Sequence, residues 1–150
     1  SMKLEEEINQ SRFSNPQQKA IVNIIYTGNW LGDKSDLVLK PHQLNQQHYN
    51  ILRIIKGRYP DSICPSDVKK VLLNKKGDLT RLLDKLVKMD LVERNLNEEN
   101  RRSIDLIISK KGIKLLEELL PEIEKQNALK GSLTDKEALQ LSDLLDKIRV

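Results

Sequence analysis

Residues 77–112 constrain this chain more than any other stretch. Leu79, Leu82, Leu83 and Leu86 recur at i, i+3, i+4 and i+7, the spacing of a helix with one apolar side. Asp78, Arg81, Asp84, Lys85 and Lys88 fall on the opposite side, with Thr80 at the boundary. Two apolar runs of strand length follow, 91–94 and 104–108, separated by a polar loop over 95–102 that ends in Arg101-Arg102. A half-buried helix running into a hairpin with arginines at its tip is the order of elements that sets a helix in a DNA groove and a hairpin beside it.

The remaining segments predict more helix. Asn15-Pro16 supplies an N-cap and a first-turn proline, followed by Ala20, Ile21, Ile24, Ile25 and Leu31 roughly on one face, with Tyr26 and Trp30 flanking it. Glu5-Glu6-Glu7-Ile8 ahead of it reads as a frayed leader, and residues 32–36 as a break before the irregular link at Pro41. A second helix is expected from an Asn45 cap to about Lys56, with Tyr49, Ile51, Leu52 and Ile55 turned inward, ended by residues 57–61. Ser62-Ile63-Cys64 is too short for an independent strand but long enough to pair with the hairpin. Pro65 opens a third helix with a Val68, Val71, Leu72 stripe, which stops near Asn74; the next helix starts at Lys76 or Gly77. Two helices joined by a three- or four-residue turn containing glycine form a helix-turn-helix. Ser109 caps a fifth helix with a stripe of Ile113, Leu116, Leu119 and Leu120, in which Pro121 predicts a kink or break. Thr134 and Glu137 are spaced as a capping box for a last helix through Ile148.

Charge follows this layout. Residues 66–114 hold thirteen Lys/Arg against eight Asp/Glu, while 115–150 hold five against eight, so the basic excess lies in the middle. With aromatic residues at 3%, the core must come from Leu, Ile and Val. No apolar run approaches the roughly 20 residues that span a bilayer, and no basic-then-apolar secretion signal is visible. Ser1, ahead of Met2, is set aside as a remnant of tag removal. The single cysteine, Cys64, excludes an intrachain disulfide framework, so the expectation is a soluble, cytoplasmic protein with no membrane association.

The run Leu79-Thr80-Arg81-Leu82-Leu83-Asp84-Lys85-Leu86, followed by Leu91-Val92-Glu93-Arg94, resembles the MarR (multiple antibiotic resistance regulator) family of winged-helix transcription regulators. That family's Asp-x-Arg before the second wing strand and Leu-Thr-x-x-Gly after it correspond here to Asn100-Arg101-Arg102 and Ile108-Ser109-Lys110-Lys111-Gly112. Its Leu-Thr-x-x-Gln-x-x-x-Leu opening of the second helix is similar to Leu44-Asn45-Gln46-Gln47-His48-Tyr49-Asn50-Ile51-Leu52. The chain departs at Asn100, where the wing Asp would orient an arginine, and at Asp90, where Gly is frequent.

The resemblance implies a mainly α fold with a small β-hairpin wing. A winged helix-turn-helix DNA-binding lobe would occupy 44–108, and 2–43 with 109–150 would form a helical dimerisation region, all in one compact chain. It further implies a sequence-specific transcriptional regulator, a ligand-responsive repressor that binds palindromic operator DNA as a homodimer. The stripes at Ile21, Ile24, Ile25 and at Leu141, Leu144, Leu145, Ile148 would supply the dimer surface. Thr80, Arg81 and Lys85 are the expected major-groove contacts, and Lys75, Lys76 and Lys88 the phosphate contacts, with free N–H groups near Gly77 offered to a phosphate. Arg101 and Arg102 would reach the minor groove. Tyr26, Trp30, His42 and His48 are candidates to line a pocket for a small-molecule effector, with core aromatics and solvated histidines as the plainer reading. Cys64, at an N-cap, reads as an inert buried thiol rather than an oxidant sensor.

An enzyme finds no support. The two histidines stand six apart, no Cys or Glu completes a metal set, and there is no glycine-rich phosphate loop or nucleophile paired with a base. No cofactor is expected. The other class of function is a winged-helix module that binds a protein partner and does not read DNA, favoured by the acids Asp78 and Asp84 on the recognition face.

Overall fold

A computed structural model of the chain describes residues 2–150, and Ser1 lies outside the described residues. The expected leader is a docked helical turn, α1 (Leu4–Glu7). Leu4 is buried, Lys19 pairs with Glu5, and the Tyr26 hydroxyl donates to Glu7 at 2.7 Å, so both ends of the turn are tied to the next helix.

That helix, α2 (Pro16–Leu39), starts as the sequence indicates, with Asn15 Oδ1 accepting from the Gln18 N–H at 2.8 Å. It continues unbroken through residues 32–36, where a break was expected. Gly, Asp and Ser each weaken a helix by only about 0.5–1 kcal/mol. Continuing it keeps Val38 packed on the core and buries Leu39 completely, which outweighs that cost. Lys40–His42, with Pro41, form a 3-10 turn, and Gln43 takes the left-handed conformation that redirects the chain.

In α3 (Gln46–Arg58), Ile51, Leu52 and Ile55 are buried and Tyr49 half-buried. Ile63 exchanges two backbone hydrogen bonds with Leu106, at 3.0 and 2.9 Å, which realises the anticipated pairing with the hairpin. The next helix, α4 (Pro65–Val71), is shorter than expected. Val68 and Leu72 are buried, but Val71 is 57% exposed, because the helix ends there and only the extended Leu72 turns back to the core. The connection to α5 (Leu79–Lys88) therefore runs over 72–78 rather than three or four residues. It is pinned by Asn50, whose Oδ1 accepts from the Leu73 N–H at 3.0 Å.

Helix α5 buries Leu82, Leu83 and Leu86, with Leu79 half-buried at the edge. Asp90 ends its turn with φ of 60°, the left-handed geometry that Asp tolerates. Strands β1 (Val92–Leu96) and β2 (Ile104–Ile108) pair antiparallel from Val92↔Ile108 to Leu96↔Ile104. Ser109 then caps α6 (Lys110–Lys125), accepting from the Gly112 N–H at 2.9 Å and donating to the Asp90 carbonyl at 2.6 Å. Gly112 is required by packing, since a Cβ there would stand 2.3 Å from the Leu91 carbonyl oxygen. Leu116 and Leu119 are buried, whereas Leu120 is 44% exposed, one position round the helix from the core side. Pro121 breaks nothing: α6 runs on to Lys125, and Ile123 beyond the proline still packs on the core.

The Thr134–Glu137 capping box opens α7 (Asp135–Ile148), which contains no buried residue. One aliphatic cluster forms the core. It joins α3, α4, α5 and the hairpin, and also draws in Leu39 from α2 and Leu116 and Leu119 from α6.

Candidate nucleic-acid interface

The exposed side of α5 is assembled by neighbours that use up its acids. Asp78, expected to open toward solvent on this face, is the N-cap: its Oδ1 accepts from the Arg81 N–H at 3.2 Å. The helix therefore starts at Leu79, later than Lys76 or Gly77, and one of the amides offered to a phosphate already has a carboxylate on it. Asp84 is held by Arg94 of β1, with Nη1 to Oδ1 at 2.6 Å. Of these two acids, Asp84 is matched by a cation within the lobe, whereas Asp78 keeps its charge at the N-terminus of α5.

The basic residues divide in the same way. Lys85 is half-buried and donates through Nζ to the Gln43 carbonyl, bracing α5 against the link after α2. Lys75 Nζ donates to the Lys70 carbonyl at 2.8 Å across the helix-turn-helix connection. Thr80, Arg81, Lys88 and Lys76 are exposed. Gly77 is half-buried under the Gln47 side-chain amide, which a Cβ would meet at 3.4 Å.

The wing tip is built on asparagine. Asn97 Oδ1 accepts from the N–H groups of Glu99 and Asn100, both at 2.9 Å, and Asn97 Nδ2 donates to the Asp105 carboxylate at 3.0 and 3.2 Å. Asn100, where the resemblance calls for Asp, turns its Oδ1 back to the Arg102 N–H at 3.2 Å. Arg101 and Arg102 are exposed at the end of this frame.

The four candidate effector residues do not come together in one hollow. Tyr26 is on α2 against Glu7, whose carboxylate raises the phenol pKa. Trp30 is 43% exposed, with the Lys34 ammonium 4.7 Å above its ring. His48 is buried rather than solvated and completes the α3 capping box, its Nδ1 accepting from the Asn45 N–H at 3.0 Å. Burial, with Lys85 and Arg81 nearby, lowers its pKa to about 4. His42 lines a hollow of about 290 Å³ with Met89, Leu91, Lys111 and Lys114. A second hollow, of about 310 Å³ between α2 and the end of α6, is lined by Leu31, Lys34, Val38, Ile123 and Leu129. Cys64 is half-buried, with its Sγ 3.2 Å from Ser66 Oγ. Among the described residues, no group of His, Cys, Asp and Glu is placed to hold a metal, and no helix is long and apolar enough to cross a membrane.

Sequence reasoning missed Gln43, Gln47, Arg94, Asn97 and Asp105. Only the Asn97–Asp105 pair left a signal, as two polar residues facing each other across a predicted hairpin loop. A two-helix motif, a following helix laid with its charged side outward and a hairpin with arginines at the tip together define a winged helix-turn-helix. Comparison with known proteins agrees. Residues 44–112 match a family described as "Winged helix DNA-binding domain". The chain is 28% identical to the transcriptional repressor MprA of Escherichia coli over 112 residues, which cover 74% of this chain and 64% of MprA. A MarR transcription factor from Planctomyces limnophilus superposes with a TM-score of 0.70 at 26% identity, covering 90% of this chain and 98% of that one. A mutant MarR from E. coli complexed with operator DNA shares the fold, with a TM-score of 0.74 at 23% identity over 98% of this chain and 99% of that one. The chain is thus similar to MarR-family winged-helix transcription regulators, and its residues 44–112 form a winged-helix DNA-binding domain.

Proposed function

We propose that the protein is a sequence-specific DNA-binding transcriptional regulator that acts as a homodimer on palindromic operators and represses in a ligand-responsive way. The observation that carries this reading is the outer side of α5. With Asp78 used as a cap and Asp84 paired to Arg94, that side presents Thr80, Arg81 and Lys88, flanked by Lys76 on the preceding turn and by Arg101 and Arg102 on the wing. The pairing of Asp84 to Arg94 weakens the acidic face that favoured a protein-binding module.

In this reading Thr80 and Arg81 contact base edges. Lys75, Lys76 and Lys88 bind phosphates, Lys85 braces α5 through the Gln43 carbonyl beside the groove contacts, and the wing arginines enter the minor groove. Gly77 offers its backbone N–H to a phosphate at the turn before α5. The homodimer is supported by Ile21, Ile24 and Ile25 on α2 and by Leu141, Leu144 and Ile148 on α7, all exposed. A twofold pair would set two copies of α5 roughly one helical turn of DNA apart. Repression follows the relationship to MprA, named a transcriptional repressor. A small-molecule effector is assigned to the hollow where His42, Lys111, Lys114 and Glu118 meet the apolar Met89, Leu91 and Leu115.

A fluorescence-anisotropy titration against the promoter duplex next to the protein's own gene tests this function. The expected result is tight binding that weakens steeply with salt. No binding at low salt would sink it.

A further inference from the structure

We infer that Asn97 and Asp105 are a positioning pair that fixes the wing tip before DNA arrives, in place of the acid-to-arginine pairing that Asn100 cannot supply. The inference rests on the DNA-binding reading for what the tip contacts, but not for how the tip is held.

The geometry is specific. Four hydrogen bonds converge on one side-chain amide. Asn97 Oδ1 takes two consecutive backbone N–H groups, from Glu99 and Asn100, and Nδ2 delivers two bonds to the Asp105 carboxylate. The main chain closes the same loop, with Asn97 N–H donating to the Ser103 carbonyl at 3.0 Å and Ser103 N–H to the Asn100 carbonyl at 2.9 Å. Asn97 and Asp105 are both half-buried, whereas every residue from Glu98 to Arg102 is exposed. The tip therefore has no apolar packing to order it, and hydrogen bonds alone must do so. A carboxylate acceptor makes the Nδ2 bonds charge-assisted, the stronger class.

The arrangement has a consequence for the arginines. The loop acceptors are met by backbone N–H groups and by Asn97, so neither arginine side chain is needed to hold the turn. Arg101 and Arg102 stay free for phosphate or groove. A tip ordered in advance spares binding the entropy of ordering it.

The orientation of the pair allows a swap. Asn97→Asp sets a second carboxylate against Asp105, and the repulsion swings it away from the Glu99 and Asn100 amides. Adding Asp105→Asn restores a donor-to-carboxylate pair with the roles reversed. Against the promoter duplex, N97D is expected to bind about tenfold more weakly, with the salt slope reduced by about 1–2 as the arginines lose their contacts. N97D/D105N should recover most of both. In an R101A/R102A background N97D should cost almost nothing further. Unchanged binding by N97D, no rescue by the double variant, or an undiminished effect without the arginines would each overturn the inference.

Amide exchange of Glu99 and Asn100, followed by NMR on the free full-length chain, reads the same pair without DNA. Protection in the wild type that is lost in N97D and regained in the double variant is the expected result. Equal exchange in all three overturns the pinning whether or not the protein binds DNA. Wild type that shows protection but binds no duplex would overturn the DNA reading instead.

Discussion

The winged lobe and the helical frame spend their apolar side chains in opposite ways. In the lobe, Ile51, Leu52, Ile55, Leu86 and Leu106 are all buried, in one cluster closed by Leu39, Leu116 and Leu119. In the frame, α7 buries nothing and α2 buries only Leu39, while Ile25 is 60% and Leu144 61% exposed. The lobe is complete within one chain. The frame carries surface that water does not favour, which in the proposed homodimer a second copy covers.

That contrast breaks most sharply under truncation. Leu86→Ala should cost about 2–5 kcal/mol of unfolding free energy, because a fully buried side chain leaves a cavity. Leu144→Ala should leave the unfolding of the isolated chain within about 0.5 kcal/mol, as for an ordinary surface change, yet weaken self-association. Denaturant melts at low and high protein concentration separate the two effects. Gly112→Ala should destabilise by about 3 kcal/mol, since its Cβ would press the Leu91 carbonyl backbone that joins the lobe to α6.

Acid should act on the lobe before the frame. His48 has its pKa lowered to about 4 by burial, then by Lys85 and Arg81, against about 6.5 when unfolded. The unfolded chain thus binds the proton more readily. The stability held by neutral His48 is present in full above about pH 6.5 and is lost as pH falls through 4, on the order of 3 kcal/mol in all. His48→Gln, which keeps a capping-box acceptor at this position, should flatten that limb of the stability–pH curve. On the DNA side, Arg81→Ala should cost about 1–3 kcal/mol against a cognate operator if its guanidinium reads a base, checked by the anisotropy titration. Unaltered affinity would move base reading to Thr80 or elsewhere.

Local chemistry made much of this legible. Asn15, Asn45, Ser109 and Thr134 cap the helices that the sequence assigns to them, because a cap needs only one side chain and the amide three residues on. The leucine period of α5 and the hairpin after it are equally local. What escaped reading depends on residues far apart in sequence. The continuation of α2 through residues 32–36 is decided by the burial of Leu39 in the distant core. The late start of α5 follows from Asp78 acting as a cap where it had been counted as surface charge. Arg94 neutralises Asp84 from a strand, and Gln43 holds Lys85 from 42 residues away. The charge of the candidate interface was therefore misread along the chain, although its residue types were in view. The four effector candidates show the same limit: Tyr26, Trp30, His42 and His48 share a composition but not a hollow.

One chain thus completes its core, whereas the exposed faces of α2 and α7 are covered only in the proposed pair that binds DNA. Sedimentation of the chain, alone and with the promoter duplex of its own gene, measures it most directly. A species of twice 17.3 kDa is expected at micromolar concentration, with one duplex carrying two chains in a salt-sensitive complex. A monomer that stays folded at all concentrations, with or without duplex, would contradict it.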